Sequence, residues 1–594
     1  MIDRDIHHAR ALLVDNNALM RSVAAAQLRE AGVGHLVLAS SVKDARLLIE
    51  RERFDIILCN REFDGSDESG QDLLDELRRE HLLPHITVFL MVTARASYHQ
   101  VVEAGEAALD GLLIRPYSAA ALIERLTEAR QRKAQLADVL RALDAGENEV
   151  ALARAMKRYQ DRLPFATYCG RLVAELFLTM HRAQDSQRMF EHLAAARSTS
   201  WARMGIARAQ MARSDLGGAR KTLQAILQDE PGCADAHELQ GRLLIEQSDH
   251  AGALAACQRA AELTPGCMLR VQHAGTLAYY QGQGVAAVQW LTRAVAMGTQ
   301  SRLFDPQTFV LLALLKHDNA DSSGVAAVRE QLRRYSQRQA PGARLQRMEQ
   351  ATAVLDSLMG ADLKPALAGL QALGDAAAQD DFDLEAANLL LALLHRVPDA
   401  HRAQVCLESI VERLALRFCT SKAVTEVLLA HAARAEPAAQ IIRQCQARVG
   451  AIAEAAMDLS LQGQPGPAVL QLLQAGERTR NAKLLDMARG LAERQKAKLP
   501  DAAVLIERAT QRLREVSSGR QALVGGGASN RTPGGLTLRG KTPASSVTAP
   551  PATQPAPTAV VASASAGAEP AALSAVTADR AAALTAVTAD QAAA

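Results

Sequence analysis

Residues 200 to 299 repeat at a fixed interval. Ala219, Ala253 and Ala287 stand 34 residues apart, as do Leu223, Cys257 and Leu291, and Ile226, Ala260 and Ala294. Pro231 and Pro265 keep the same 34-residue spacing, and Ala207, Gly241 and Gly275 form a fifth series. Five registers at one interval restrict this stretch to stacked supersecondary units, each of which buries its apolar face only against its neighbours. Gly241 and Gly275 let a second helix approach the first, Ala253 and Ala260 are small on the facing helix, and the prolines close each unit because proline cannot continue a helix. The expected product is a curved array with a concave groove.

This pattern resembles the tetratricopeptide repeat, with about three good copies between 200 and 299. In that family the groove is lined by the first helix of each pair. The resemblance therefore implies an inner face carrying Trp201, Arg208, Arg242, Tyr279 and Tyr280, and aromatic and arginine side chains are the usual anchors of binding surfaces. Residues 131–199 read as a helical connector and 300–515 as helical in weaker register. The runs Leu311–Leu315, Leu389–Leu394 and Ala468–Leu473 have the look of buried helix segments between breakers such as Pro398 and Gly463. Degenerate repeats are the preferred reading of 300–515, with plain helical hairpins as the alternative.

The first 130 residues follow a different rule. Short apolar runs at Ala11–Val14, Gly34–Ala39, Asp55–Asn60, Ile86–Val92 and Gly111–Ile114 alternate with helical patterns, the fourth of these around Tyr98 to Gly105 and the last beginning near Ser118. Strand and helix in strict alternation imply right-handed crossovers and one parallel sheet with helices on both faces, a flavodoxin-like α/β domain. Chemistry in such sheets sits at the carboxyl ends of the strands. Asp15, Asn60 and Thr93 fall there, and Arg115-Pro116 follows the fifth strand.

That order resembles the receiver domain of bacterial response regulators. In the family, two neighbouring acids after the first strand hold Mg²⁺, an aspartate after the third accepts phosphate, and a Lys-Pro pair follows the fifth. The matching positions here are Asp15 and Asn16, Asn60, and Arg115 and Pro116; Thr93 is retained, and the switch aromatic is matched by Leu112. The resemblance also implies a cis Arg115-Pro116 bond and an association face at about 98–132.

Chemistry fixes what these changes mean. A carboxamide nitrogen is not nucleophilic, so Asn60 forms no acyl phosphate, and Mg²⁺ requires hard anionic oxygens of which two of three are gone. No cofactor is expected. Three carboxylates about 4 Å apart would repel by about 4 kcal/mol per pair at an effective dielectric of 20. With Asp15 the one acid left and Arg115 beside it, an ion pair satisfies the cluster. Asp64 and Asp67 in the following loop are candidate stand-in acceptors, but a loop carboxylate lacks the fixed geometry that the transfer requires, and they read as solvated turn acids.

Composition narrows the remaining classes. The chain carries 67 basic and 65 acidic residues, a net charge of +2, which gives no field to hold nucleic acid or an anionic membrane. Its 8 cysteines lack metal-ligand spacing and read as buried free thiols. The charged N-terminus has no signal-peptide core, and a cytoplasmic setting is expected. Residues 516–594 are rich in Gly, Ser, Thr, Ala and Pro and read as a disordered tail. Gly535, Gly540, Lys541 and Thr542 match a phosphate-loop pattern there, but Pro533 and Pro543 flank it and no strand feeds it, so the match is coincidental.

The functional expectation is a non-enzymatic signalling adaptor: a receiver that takes no phosphate, coupled to an array that binds proteins, with homodimerisation through 98–132 open. A transcription regulator with an unrecognised DNA-binding output is the alternative. No helix-turn-helix with a basic recognition helix supports it.

Overall fold

The computed structural model describes residues 6–63, 69–80, 82–94, 110–196, 199–299, 301, 303–339, 342–398, 401, 407–432 and 436–516. Five strands open it: β1 (Arg10–Val14), β2 (His35–Ala39), β3 (Ile56–Asn60), β4 (Val88–Thr93) and β5 (Gly111–Ile114). They form one parallel sheet in the order β2-β1-β3-β4-β5. Every residue of β3 and β4 is buried, the reason both read as unbroken apolar runs rather than alternating ones.

One sheet face (Leu13, Ile56, Leu58, Leu90) packs under α1 (Ala18–Glu30) and α4 (Ala119–Gln135). The other (Leu12, Ile57, Phe89, Met91) packs under α2 (Val42–Arg51) and α3 (Gly70–Arg79). Each such side chain contributes about 1.5–3 kcal/mol by leaving water. Side-chain caps begin these helices: Asn17 accepts from the Leu19 and Met20 amides, Ser41 from Asp44, Ser69 from Asp72, and Ser118 from Ala121. The helix expected around Tyr98 to Gly105 lies outside the described residues, as do Asp64, Asp67 and the whole of 517–594.

Helix α4 runs past residue 130 and is separated from α5 (Ala137–Asp144) by Leu136 alone. The adjoining contacts are polar. Lys133 Nζ donates to the His85 carbonyl at 2.6 Å, the His85 amide to Asp144 Oδ1 at 3.0 Å, and Arg132 lies 2.7 Å from Asp110 and 5.4 Å from the Tyr168 ring.

Helix α5 opens a series of antiparallel hairpins. With α6 (Asn148–Gln160) it makes the first. The next pairs are α7 (Ala166–Thr179) with α8 (Ala183–Ala196), α9 (Ser200–Ala212) with α10 (Leu216–Asp229), and α11 (Ala234–Glu246) with α12 (His250–Leu263). Then come α13 (Met268–Tyr280) with α14 (Gly284–Ala296), α15 (Gln307–Asp318) with α16 (Ser322–Ser336), and α17 (Ala343–Met359) with α18 (Leu363–Ala376).

A residue with positive φ sits in the turn of each hairpin: Gly146, His181, Ser214, Ser248, Gly282, Ala320 and Ala361. Successive differences between these numbers are 35, 33, 34, 34, 38 and 41. The interval is therefore tight in the middle of the array and loosens after 299, first through the longer connector at 297–306 and then through the longer helices α16 and α17.

In three hairpins the next residue is an aspartate cap. Asp215 accepts from Gly218, Asp249 from Gly252 and Asp321 from Gly324, at 2.8–2.9 Å. A Cβ at any of these glycines would press on the capping carboxylate.

Ion pairs staple first helices to the next hairpin or to its connector. Arg208 on α9 grips Glu175 on α7, Arg270 on α13 reaches Asp235 and Glu238 on α11, and Arg347 on α17 reaches Asp381 beyond α18. The remaining helices are α19 (Leu384–Leu394), buried along its whole length, α20 (Leu407–Phe418), α21 (Lys422–Ala432), α22 (Glu436–Leu461), α23 (Pro465–Thr479), α24 (Ala482–Arg494) and α25 (Ala502–Val516). Glu426 on α21 lies 3.0 Å from His250 at the start of α12. Helix α21 thus returns to the middle of the array.

Candidate functional site

The carboxyl edge of the sheet gathers Asp15, Asn60, Thr93 and Arg115. Asp15 follows β1, is 1% exposed, and lies 2.5 Å from Arg115 Nη2 through its Oδ2. Its Oδ1 accepts from the Asn17 amide at 2.9 Å. Arg115 is held in turn by its own amide, which donates to the Thr93 carbonyl at 2.9 Å. Asp15 is matched by one fixed cation, and the ion pair read from the sequence is present. Asn16 beside it is half-buried. The Arg115-Pro116 bond is cis, and Leu112 is half-buried on β5.

Asn60 ends β3 opposite Val92 in the register with β4, next to fully buried Thr93. Its Nδ2 donates to the Glu62 carbonyl, and among the described residues its buried Oδ1 accepts no hydrogen bond. The neighbouring Cys59 thiol is pushed far up by burial and by the Asp15 charge, so it is neither acid nor nucleophile.

Glu62 is the residue that sequence reasoning missed. Its Oε1 accepts from Thr93 Oγ1 at 2.8 Å and its Oε2 from the Ala94 amide at 3.4 Å. A carboxylate of the chain thereby occupies the donors at the end of β4. No periodic signal marks it, because β3 ends at Asn60 and the chain bends at Arg61.

The array residues separate into two groups. Tyr279 and Tyr280 end α13 and line a cleft of about 700 Å³ with Val285, Val288, Leu315 and Arg396. Val285 on that wall is 78% exposed, and Arg396 is paired with Asp318 at 2.7 Å. Tyr280 is itself buried, which raises its hydroxyl well above the ordinary phenol range. Trp201, Arg208 and Arg242 lie elsewhere and are engaged within the chain. Trp201 packs edge-on to Phe190 and is covered by the Arg171 guanidinium at 4.8 Å. Arg208, 8% exposed, makes a two-pronged contact with Glu175, and Arg242 lies 2.7 Å from Glu238 one turn back. Trp201 and Arg208 are spent on contacts with the preceding hairpin, and Arg242 on a pair within its own helix.

These features define a doubly wound parallel α/β domain with its site at the carboxyl edge, continued by stacked helical hairpins. The chain belongs to the response regulator receiver domain family, whose model matches residues 11–127, and a tetratricopeptide repeat model matches 204–266. Chemotaxis protein CheY-3 of Vibrio cholerae is 31% identical over 123 residues, 21% of this chain and 92% of that protein. Chemotaxis protein CheY of Pseudomonas aeruginosa is 30% identical over 123 residues, 21% of this chain and 97% of its own length. Among solved structures, Vibrio cholerae CheY4 shares 22% identity, covering 20% of this chain and 98% of its own, with a TM-score of 0.19. The protein is thus of two-component signalling type and carries protein-interaction repeats. No helix among the described residues is long and apolar enough to cross a membrane.

Proposed function

We propose that this protein is a cytoplasmic, non-enzymatic signalling adaptor whose receiver works without phosphorylation and whose array holds another protein. The observation that carries this reading is the self-satisfied carboxyl edge. Asp15 is bound to Arg115, Thr93 to Glu62, and Asn60 offers a carboxamide where phosphoryl transfer needs a carboxylate. A metal ion would find the Asp15 carboxylate neutralised by Arg115 and the Glu62 carboxylate engaged by Thr93 and Ala94, a poor match to the several free anionic oxygens that Mg²⁺ prefers.

On the array side, the cleft at Tyr279 is the best-supported docking place. It combines an exposed apolar wall with polar groups at its rim, the composition usual for an anchor pocket. In homodimerisation through 98–132, Arg132 at the end of that stretch would take no part, being engaged with Asp110 and Tyr168.

The test is affinity capture with the full chain, comparing wild type, Asn60→Asp and Tyr279→Ala. Partners that ignore Asn60→Asp and are lost with Tyr279→Ala agree with a constitutive adaptor. Partners gained or lost with Asn60→Asp alone would make the receiver a latent switch instead.

A further inference from the structure

We propose that Glu62 is a built-in oxyanion: its carboxylate fills the seat formed by the Thr93 hydroxyl and the Ala94 amide, and so holds the end of β4 in one fixed arrangement. The inference rests on the phosphate-independent reading above and adds the group that does the holding.

Three observations converge on it. First, the seat is made of donors only. A hydroxyl at 2.8 Å and a backbone amide at 3.4 Å both point at one carboxylate, each oxygen taking one of them. The short hydroxyl bond is charge-assisted and so stronger than a neutral one, while the longer amide contact adds direction. Second, Glu62 is anchored from behind. The Arg61 amide donates to the Val92 carbonyl at 2.8 Å, the Gly70 amide donates to the Arg61 carbonyl at 2.9 Å, and Asn60 Nδ2 donates to the Glu62 carbonyl. The backbone leaving β3 is therefore bound on both sides, and the side chain is delivered rather than left to wander. Third, the nearby cation is already committed, because Arg115 faces Asp15 at 2.5 Å. The edge thus holds two carboxylates, each with its own donors, and an incoming oxyanion would have to displace one of them.

The substitution at position 60 and the reach of Glu62 then belong together. A carboxylate at 60 would stand beside the Glu62 and Asp15 charges. The carboxamide removes that repulsion and spends its Nδ2 on fixing the segment that carries Glu62. Thr93 is fully buried, so its hydroxyl needs a partner at all times. Glu62 supplies one without any outside ligand.

The experiment is hydrogen exchange by mass spectrometry on the full chain, with Glu62→Ala and Glu62→Gln, each with and without inorganic phosphate or acetate. In Glu62→Ala, amides of 88–94 and 110–115 exchange on the order of tenfold faster than in wild type, as the loss of charge-assisted hydrogen bonds requires. Added phosphate or acetate restores their protection, while wild type ignores both. Glu62→Gln, which keeps the shape and loses the charge, falls between the two and covers the case in which the alanine variant does not fold.

Unchanged exchange in both variants would overturn the proposal. So would faster exchange that neither anion repairs, since a residue that only packs is not rescued by an ion. Phosphodonor treatment of wild type is run alongside. A covalent phosphate there would sink the phosphate-independent reading itself, whatever the rescue shows.

Discussion

The guanidinium of Arg115 and the carboxylate of Asp15 meet at 2.5 Å, bridging the ends of β5 and β1 across a hundred residues of chain. Asp15 is almost fully buried and Arg115 partly so. Removing Arg115 alone leaves a buried charge uncompensated. Arg115→Met is expected to lower stability by roughly 3 kcal/mol, and Asp15→Asn added to it recovers much of the loss. Urea unfolding of the two single variants and the double variant measures the coupling.

Wild-type protein incubated with a small-molecule phosphodonor is expected to keep its mass, because Asn60 has no nucleophilic oxygen. Asn60→Asp supplies the oxygen and still lacks the second acid at Asn16. It is expected to take up phosphate only in small yield, read by intact-mass spectrometry at neutral pH and lost on mild alkali.

Buried Arg270 touches Asp235, Glu238 and Thr264, joining α13 to α11. Arg270→Ala strands two buried carboxylates and is expected to cost about 3–5 kcal/mol in the array. Arg270→Met combined with Asp235→Leu and Glu238→Met is expected to be much milder, as apolar replacement of a whole buried network often is. Thermal melts of the full chain distinguish the two.

Gly205 on α9 faces the ring of Phe190 so closely that a Cβ would enter it. A flat, rigid ring has nowhere to give. Gly205→Ala is therefore expected to destabilise by about 1–3 kcal/mol despite the better helix propensity of alanine, and Phe190→Leu paired with it to restore part of that.

Cys419 and Cys445 are buried, which pushes each thiol up to about 11 from 9.0. A group whose folded pKa is raised contributes its stability below the unfolded value and loses it as pH rises through the folded one. Stability is thus expected to fall between about pH 9 and pH 11, and Cys419→Ala with Cys445→Ala to flatten that fall. Alkylation of the folded protein by a thiol reagent at pH 7.5 is expected to be slow at both positions.

Much of this was legible in the chain. The sheet could be read from Ala11 to Ile114 because apolar runs too short for helices recur there between stretches of helical pattern. Asp15, Asn60, Thr93 and Arg115 could be placed together because strand ends in a parallel sheet share one edge.

Glu62 escaped because it lies past the end of β3, where no periodic pattern continues and a charged side chain reads as loop. The aspartate caps escaped for another reason. Asp215 and Asp249 keep the 34-residue interval, but their signal is a turn geometry set by Ser214 and Ser248, not a buried face. Arg208 and Arg242 were placed on the correct helices, yet sequence carries no mark of whether an arginine faces a partner or Glu175 and Glu238.

Between α4 and α5 stands a single buried residue, Leu136. The sheet and the hairpins are thus joined by one residue, with Lys133, Asp144 and Arg132 bonded across the junction. Each residue inserted at that point would swing one against the other by about 100° and advance it by about 1.5 Å. A molecule gripping both ends at once would feel the mismatch immediately.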